Sequence, residues 1–131
     1  MYQFPTNDLL YKMNKIESNK CSFCDLYPES ITHLFFSCLN VRSVLCTLQA
    51  KLSVYLNNSM HISCKDIVIG YKLSHFNIAS VKLVNIVLLN VKLYIWKSRC
   101  KNVTLSYTKL KQWMVNRKIF TDVLDDFIEI M

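Results

Sequence analysis

Cys21, Cys24, His33 and Cys38 follow one another in the spacing C-x2-C-x8-H-x4-C. Two cysteines separated by two residues let their thiolates converge on one ion, and a later His and Cys complete a tetrahedron. Soft thiolates with one imidazole suit zinc and disfavour magnesium or calcium. Four protein ligands leave no position open for substrate or activated water, so the expected site holds a Zn2+ ion in a structural role. Pro28, with Asp25 and Ser30 nearby, falls where the chain must turn between the two ligand pairs. Thr32 to Cys38 reads as a short helical turn presenting His33, with Leu34, Phe35 and Phe36 supplying apolar surface beneath the metal. Glu29, one helical turn before His33, is placed to accept a hydrogen bond from the imidazole nitrogen that does not bind metal.

Six cysteines in a short chain also fit a disulfide scaffold. Cys46, Cys64 and Cys100 argue against that, because they lie within apolar runs that read as helices, where a free thiol acts as a small buried hydrophobe. Met1 to Tyr11 contains Pro5, Asn7 and Asp8 and lacks the apolar stretch of a secretory signal. The expected compartment is therefore reducing, nuclear or cytoplasmic, and the chain is not expected to be secreted.

The elements that must carry these ligands are helical. Gly70 is the only glycine and Pro5 and Pro28 the only prolines, a scarcity that disfavours hairpin-rich β folds. Thr6 is placed to cap a first helix running to about Ile16, and Asn40 to cap a second from Val41 to about Leu56, ended by Asn57, Asn58 and Ser59. Ser63 starts a short helix to about Val68, before Gly70 breaks the run. The longest helix spans about Ile78 to Cys100, and a last one about Tyr107 to Ile128, where Leu110, Trp113, Met114, Phe120, Leu124 and Phe127 recur at helical spacing. The expectation is an all-α fold: a small zinc-binding module followed by a bundle of about four helices, the last two long and antiparallel. One domain covers residues 1–131, with a zinc-binding part over 3–56 and a basic helical part over 63–131. Lys82 and Lys92 interrupt the longest apolar run, so no membrane span is expected.

The chain carries 16 Lys and Arg against 9 Asp and Glu, a formal charge of +7. Between Asp66 and Asp122 there is no acid, yet that interval holds ten basic residues. Such a field favours polyanions. Its tightest cluster, Lys97, Arg99, Lys101, Lys109 and Lys111, spans the end of the longest helix and the start of the next, and is expected to contact phosphate. Trp96, Tyr107 and Trp113 within it could stack bases if exposed, but packing between the helices is the preferred reading.

The stretch from Cys21 to Cys24, then Glu29 to Cys38 with its His33-Leu34-Phe35-Phe36 core, resembles the zinc-binding domain that follows the reverse transcriptase in non-LTR (LINE-type) retrotransposon polyproteins. Pro5 to Met13 upstream, Lys65 to Gly70 and Leu93 to Lys101 downstream are similar in a weaker way. The chain departs from the family pattern at Leu39, where proline is frequent, and at Leu45, where tryptophan is frequent. The resemblance implies a domain that helps hold template RNA or target DNA, with a reverse transcriptase body as a possible partner.

No catalytic constellation emerges from the residues themselves. Paired aspartates of a polymerase palm and a phosphate loop are lacking, Asp66 stands alone, and His61 and His75 fall near loops with no partner for acid–base work. The expectation is a non-catalytic, zinc-stabilised nucleic-acid-binding accessory domain. The competing readings are a protein-interaction module docking on a polymerase body, and a retrotransposon remnant without retained activity.

Overall fold

A computed structural model describes residues 4–71, 77–117 and 122–131. Six α-helices are present among them: α1 (Asn7–Lys12), α2 (Leu39–Tyr55), α3 (Cys64–Val68), α4 (Ile78–Lys101), α5 (Tyr107–Asn116) and α6 (Asp122–Ile130), with a π-helical turn over His33–Ser37 ahead of α2. Among the described residues the one extended pairing is an isolated antiparallel bridge between Lys20 and Pro28. The all-α expectation holds.

A chain with one glycine must end its helices by other means, and asparagine serves. Asn14, Asn57 and Asn102 adopt left-handed backbone, with φ of 57°, 51° and 56°. After each, the next N–H reaches back five residues: Lys15 to the Leu10 carbonyl at 2.9 Å, Asn58 to Ser53 at 3.2 Å, Val103 to Ser98 at 2.9 Å. This is the Schellman closure, and asparagine tolerates the left-handed well better than other residues with a Cβ. Asn14 explains why α1 stops at Lys12 rather than continuing to Ile16. Gly70, at φ 134°, follows α3, and the adjacent Tyr71 backbone is clamped by Asn85, which accepts from its N–H at 2.8 Å and donates to its carbonyl at 3.2 Å.

Helix starts follow local chemistry as well. Ser63 and Asp66 form a reciprocal capping box at α3, Asn77 accepts from Ser80 N–H at 2.7 Å at α4, and Ser106 accepts from Lys109 N–H at 3.1 Å at α5. At α2 the residue before the helix is the ligand Cys38, not Asn40 as its residue type suggested. Asn40 instead donates to the Phe23 carbonyl at 3.1 Å, tying α2 to the cysteine turn.

α4 is the central element. Leu83, Val84, Val87, Leu88, Val91 and Ile95 are buried along it, and it packs on α3, α5, α6 and the π-turn. By length and composition alone α4 could cross a membrane. Lys92 within it extends its ammonium to the Val68 carbonyl at 3.4 Å and over the Phe4 ring, and burial pushes its pKa down. α2 contributes Val41, Val44, Leu45, Leu48 and Leu52 to the same core.

The expected last helix is two helices. α5 ends at Asn116 and α6 begins at Asp122, and Phe120 lies outside the described residues. An unbroken helix over Tyr107 to Ile128 would be about 33 Å long at 1.5 Å per residue, carrying its end along one line. The break lets Phe127 become fully buried, its ring 5.6 Å from that of Tyr55 on α2.

Candidate metal centre

Cys21 and Cys24, the first two residues of the cluster, lie in a tight hairpin. Its ends are held by Cys21 N–H to the Tyr27 carbonyl at 2.8 Å and Glu29 N–H to Asn19 at 2.7 Å, and its tip by Asp25 N–H to Cys21 at 2.9 Å. Asp25 takes the left-handed conformation, φ 55°, that lets the chain reverse directly after Cys24.

The second ligand pair depends on the π-turn. In an α-helix at 3.6 residues per turn, residues five apart lie about 140° around from each other. The wider turn over His33–Ser37 pairs Cys38 N–H with the His33 carbonyl at 2.9 Å, a five-residue closure that returns Cys38 to the side of His33. Leu34 and Phe35 point into the core beneath, as expected, while Phe36 is half-buried under the Arg42 guanidinium, 4.4 Å from its ring.

The four donor atoms all lie within 4.8 Å of one another. The Cys21 and Cys38 sulfurs are 3.9 Å apart, and Cys24 Sγ is 3.3 Å from His33 Nε2. A tetrahedral ion bound at about 2.3 Å by sulfur and 2.0–2.1 Å by nitrogen separates two sulfurs by roughly 3.8 Å, and a sulfur and a nitrogen by roughly 3.5 Å. These two pairs stand near those separations, and the four donors together could hold one metal ion.

The backbone is arranged for thiolates. N–H groups two and three residues onward face each sulfur: those of Phe23 and Cys24 at Cys21, Leu26 and Tyr27 at Cys24, Asn40 and Val41 at Cys38. Burial, with repulsion from the neighbouring sulfurs, nevertheless pushes the Cys21 thiol up to about 12, and burial raises Cys38 too. Cys24 is buried less deeply: burial raises its pKa, but the Leu26 and Tyr27 N–H groups together with the Cys21 and Cys38 thiols bring it below the ordinary value. Burial lowers His33, with the Glu29 charge opposing it, which favours the neutral imidazole that a metal requires. Three convergent sulfurs with this backbone support are completed electrostatically by a cation. No disulfide joins the six cysteines: Cys46 and Cys100 are exposed and Cys64 is half-buried, so these three are not the buried thiols their apolar surroundings suggested.

Glu29 does not support His33 in the way its spacing suggested. Its side chain is fully buried, and it accepts from Asn7 N–H at 2.9 Å, from Ser22 N–H at 2.7 Å, and from Arg99 Nε and Nη2 at 3.0 and 2.9 Å. Burial alone would raise this carboxyl, but the Ser22 and Asn7 donors and then Arg99 hold it below its ordinary value. Arg99 also donates to Asn7 Oδ1 at 2.7 Å, and Asn7 donates to the Lys20 carbonyl at 2.7 Å. A single buried carboxylate thus joins α1, the ligand hairpin and the last turn of α4. Sequence reasoning missed Asn7 and Ser22 as parts of the centre, and the one available signal was an acid in the ligand interval with no local cation to neutralise it.

Arg99 is thereby removed from the expected phosphate-binding set. Its side chain is only 14% exposed and is committed to Glu29 and Asn7. Lys97, Lys101 and Lys109 are exposed, and Lys111 is half-buried. None of the four pairs with a carboxylate among the described residues, and Lys109 reaches Thr104 Oγ1 at 3.2 Å. Trp96, Tyr107 and Trp113 are half-buried against the core, Trp96 on Phe4 and Trp113 on Tyr94. Those rings pack the fold, as the preferred reading had it. His61 is exposed, and His75, Lys72 and Lys118 lie outside the described residues.

The class these observations define is a small all-α protein with a cluster of three cysteines and one histidine that can hold a metal ion. No family model, curated protein or solved structure matches the chain.

Proposed function

We propose that the chain is a non-catalytic, zinc-stabilised accessory domain that binds RNA or DNA mainly through phosphate contacts. Thiolate–imidazole ligation and tetrahedral spacing favour zinc among the ions the cluster can hold. The observation that carries the binding reading is the placement of Lys97, Lys101 and Lys109, exposed and without carboxylate partners, on the end of the fold that Arg99 pins to the metal hairpin. The resemblance to the region after a LINE-type reverse transcriptase supports the same reading, and in that setting polymerase and endonuclease chemistry would lie on other domains.

Fluorescence anisotropy across a salt series tests it. With four lysines on phosphate, log K is expected to fall against log salt with a slope of about −3 to −4. Charge reversal of Lys97, Lys101 and Lys109 together should flatten that slope, and a flat slope in the unaltered protein overturns the reading. Zinc content by mass spectrometry should be one ion per chain and should vanish in Cys21→Ser.

A second reading, docking on a polymerase body, is favoured by Ile69 and Leu89, two exposed apolar side chains on one cleft between α3 and α4. Phe35, Phe36 and Trp113, which would have favoured docking had they been exposed, are buried or half-buried.

A further inference from the structure

Beside the metal ligands lies a second feature that neither coordination nor phosphate contact uses. Leu26, Tyr27 and Leu39 are 62%, 59% and 71% exposed, although all three are large and apolar. With Cys24, His33 and Ser37 they line a cavity of about 310 Å³, at the small end of the range for small-molecule pockets. The Tyr27 ring is tilted 47° to that of His33, with centroids 5.7 Å apart, and the Tyr27 carbonyl accepts from Cys21 N–H at 2.8 Å. A metal ion in the cluster would make this wall rigid. Ser37, exposed and on the cavity lining, adds a hydroxyl that both donates and accepts.

The cavity's surroundings are cationic and lead to the lysines. Lys20 places its ammonium 3.4 Å from the Leu26 carbonyl, at the rim. A smaller polar cleft of about 120 Å³ begins at the neighbouring residues Phe23 and Asn40 and runs to Asn102 and Thr104. Thr104 is the residue on which Lys109 rests. The cavity and the cleft are thus lined by consecutive residues, Cys24 and Phe23, Leu39 and Asn40, with Lys20 held at the Leu26 carbonyl of the first and Lys109 at Thr104 of the second. Asp25, exposed between Cys24 and Leu26, is the acid that works against this pattern.

We infer that the metal-side cavity takes one unpaired nucleobase, stacked on Tyr27, while the adjoining polar cleft carries the sugar–phosphate strand toward Lys101 and Lys109. This deepens the nucleic-acid reading above and rests on it. A duplex keeps its bases stacked on each other, so a cavity for one flat ring selects single-stranded or looped nucleic acid. An apolar protein segment would be served by the cavity but not by the cations at both of its ends, which is why a nucleic acid is the favoured occupant.

The test uses the full chain with zinc bound, a 12-nucleotide single strand of mixed sequence, and a blunt duplex of the same length. Tyr27→Ala should weaken single-strand binding about 5- to 150-fold, the range for loss of one base–aromatic stack, and leave duplex binding unchanged. Tyr27→Phe should restore it, since the ring is kept. Asp25→Asn should tighten both probes. Zinc stoichiometry of each variant guards against a folding defect, and Leu39→Ser replaces Tyr27→Ala if the latter loses metal. Photocrosslinking of a 5-iodouridine strand should map to Tyr27. If Tyr27→Ala and Leu39→Ser leave single-strand affinity intact while lysine reversal weakens it, the base site is overturned and the phosphate reading stands. Equal loss on both probes also overturns it. If neither probe binds the unaltered protein, both readings fall. A dimer in solution that Tyr27→Ala dissolves, without change in oligonucleotide affinity, assigns the cavity to a second copy and overturns the inference.

Discussion

Residues 4 to 33 and residues 34 to 131 are built on different physics. The first stretch buries Thr6, Cys21 and Glu29 but no large apolar side chain, and α1 within it has no buried residue at all. From Leu34 onward the chain buries Phe35, the α2 stripe, most of α4, Leu110, Met114 and Phe127 in one continuous core. Burial of apolar surface, at about 25 cal/mol per Å², can hold the second region together, whereas the first has little such surface to offer. Its order rests on the Phe4 ring packed against Phe35 and Trp96, on the buried carboxylate of Glu29, and on a cysteine–histidine cluster that can hold a metal ion. The lesson is that a small polar segment can be positioned on a hydrophobic bundle by a few point attachments, here the Phe4 ring, the Glu29–Arg99 pair and the Cys21, Cys24, His33, Cys38 cluster.

The strongest way to break this comparison is to remove the metal ion proposed for the cluster. Structural zinc binds small peptide modules with an apparent free energy of about 10–16 kcal/mol near neutral pH. Chelation, or Cys21→Ser, is expected to strip hydrogen-exchange protection from amides 19–38 while α4 keeps its own. Simultaneous loss of protection in α4 would show that the two regions are one cooperative unit.

Next in size is the buried pair. Arg99→Ala leaves Glu29 charged, buried and unpaired, a change that costs about 3–5 kcal/mol, and the double variant Arg99→Met with Glu29→Gln should recover part of it. Denaturant titration reads both. Because the Glu29 carboxyl is held below its ordinary value of 4.5, its contribution is whole above that pH and is lost as pH falls through the depressed value. Glu29→Gln should therefore lack this part of the acid destabilisation. Identical acid profiles for the variant and the unaltered chain would place the coupling elsewhere.

Leu48→Ala tests the other region. Deleting this fully buried side chain on α2 should cost about 2–5 kcal/mol, and by the same amount with and without metal if the bundle stands on its core. The smallest expected effect is Ser63→Ala at the capping box of α3, about 1 kcal/mol, seen as faster exchange at the Asp66 amide with the hairpin unaffected.

What was legible in the sequence was what is local. The ligand set, the limits of α4, the start of α3 at Ser63 and the stop near Gly70 each depend on residues within a turn or two of one another. Cys46 was misjudged although its position was readable: Val44, Leu45 and Leu48 fix the buried stripe of α2, and Cys46 falls off it. The break between α5 and α6 follows from the need to bring Phe127 against Tyr55, a tertiary demand that periodicity along one helix does not express. Arg99 was read as a free cation because its partner lies 70 residues away, and no local spacing announces such a pair.

That separation also sets an order in time. The ligands fall within 17 residues of one another, and Arg99 comes 61 residues after the last of them. Short loops close at small entropic cost, and a chain made from its N-terminus presents Cys38 well before Arg99. An ion taken up by the cluster would close the hairpin while α4 is still unmade, with Glu29 at one end of a clasp whose other half has yet to be synthesised. Arg99 comes last, on the final turn of α4, and joins Glu29 and Asn7, both of which precede it in the chain by 70 residues or more.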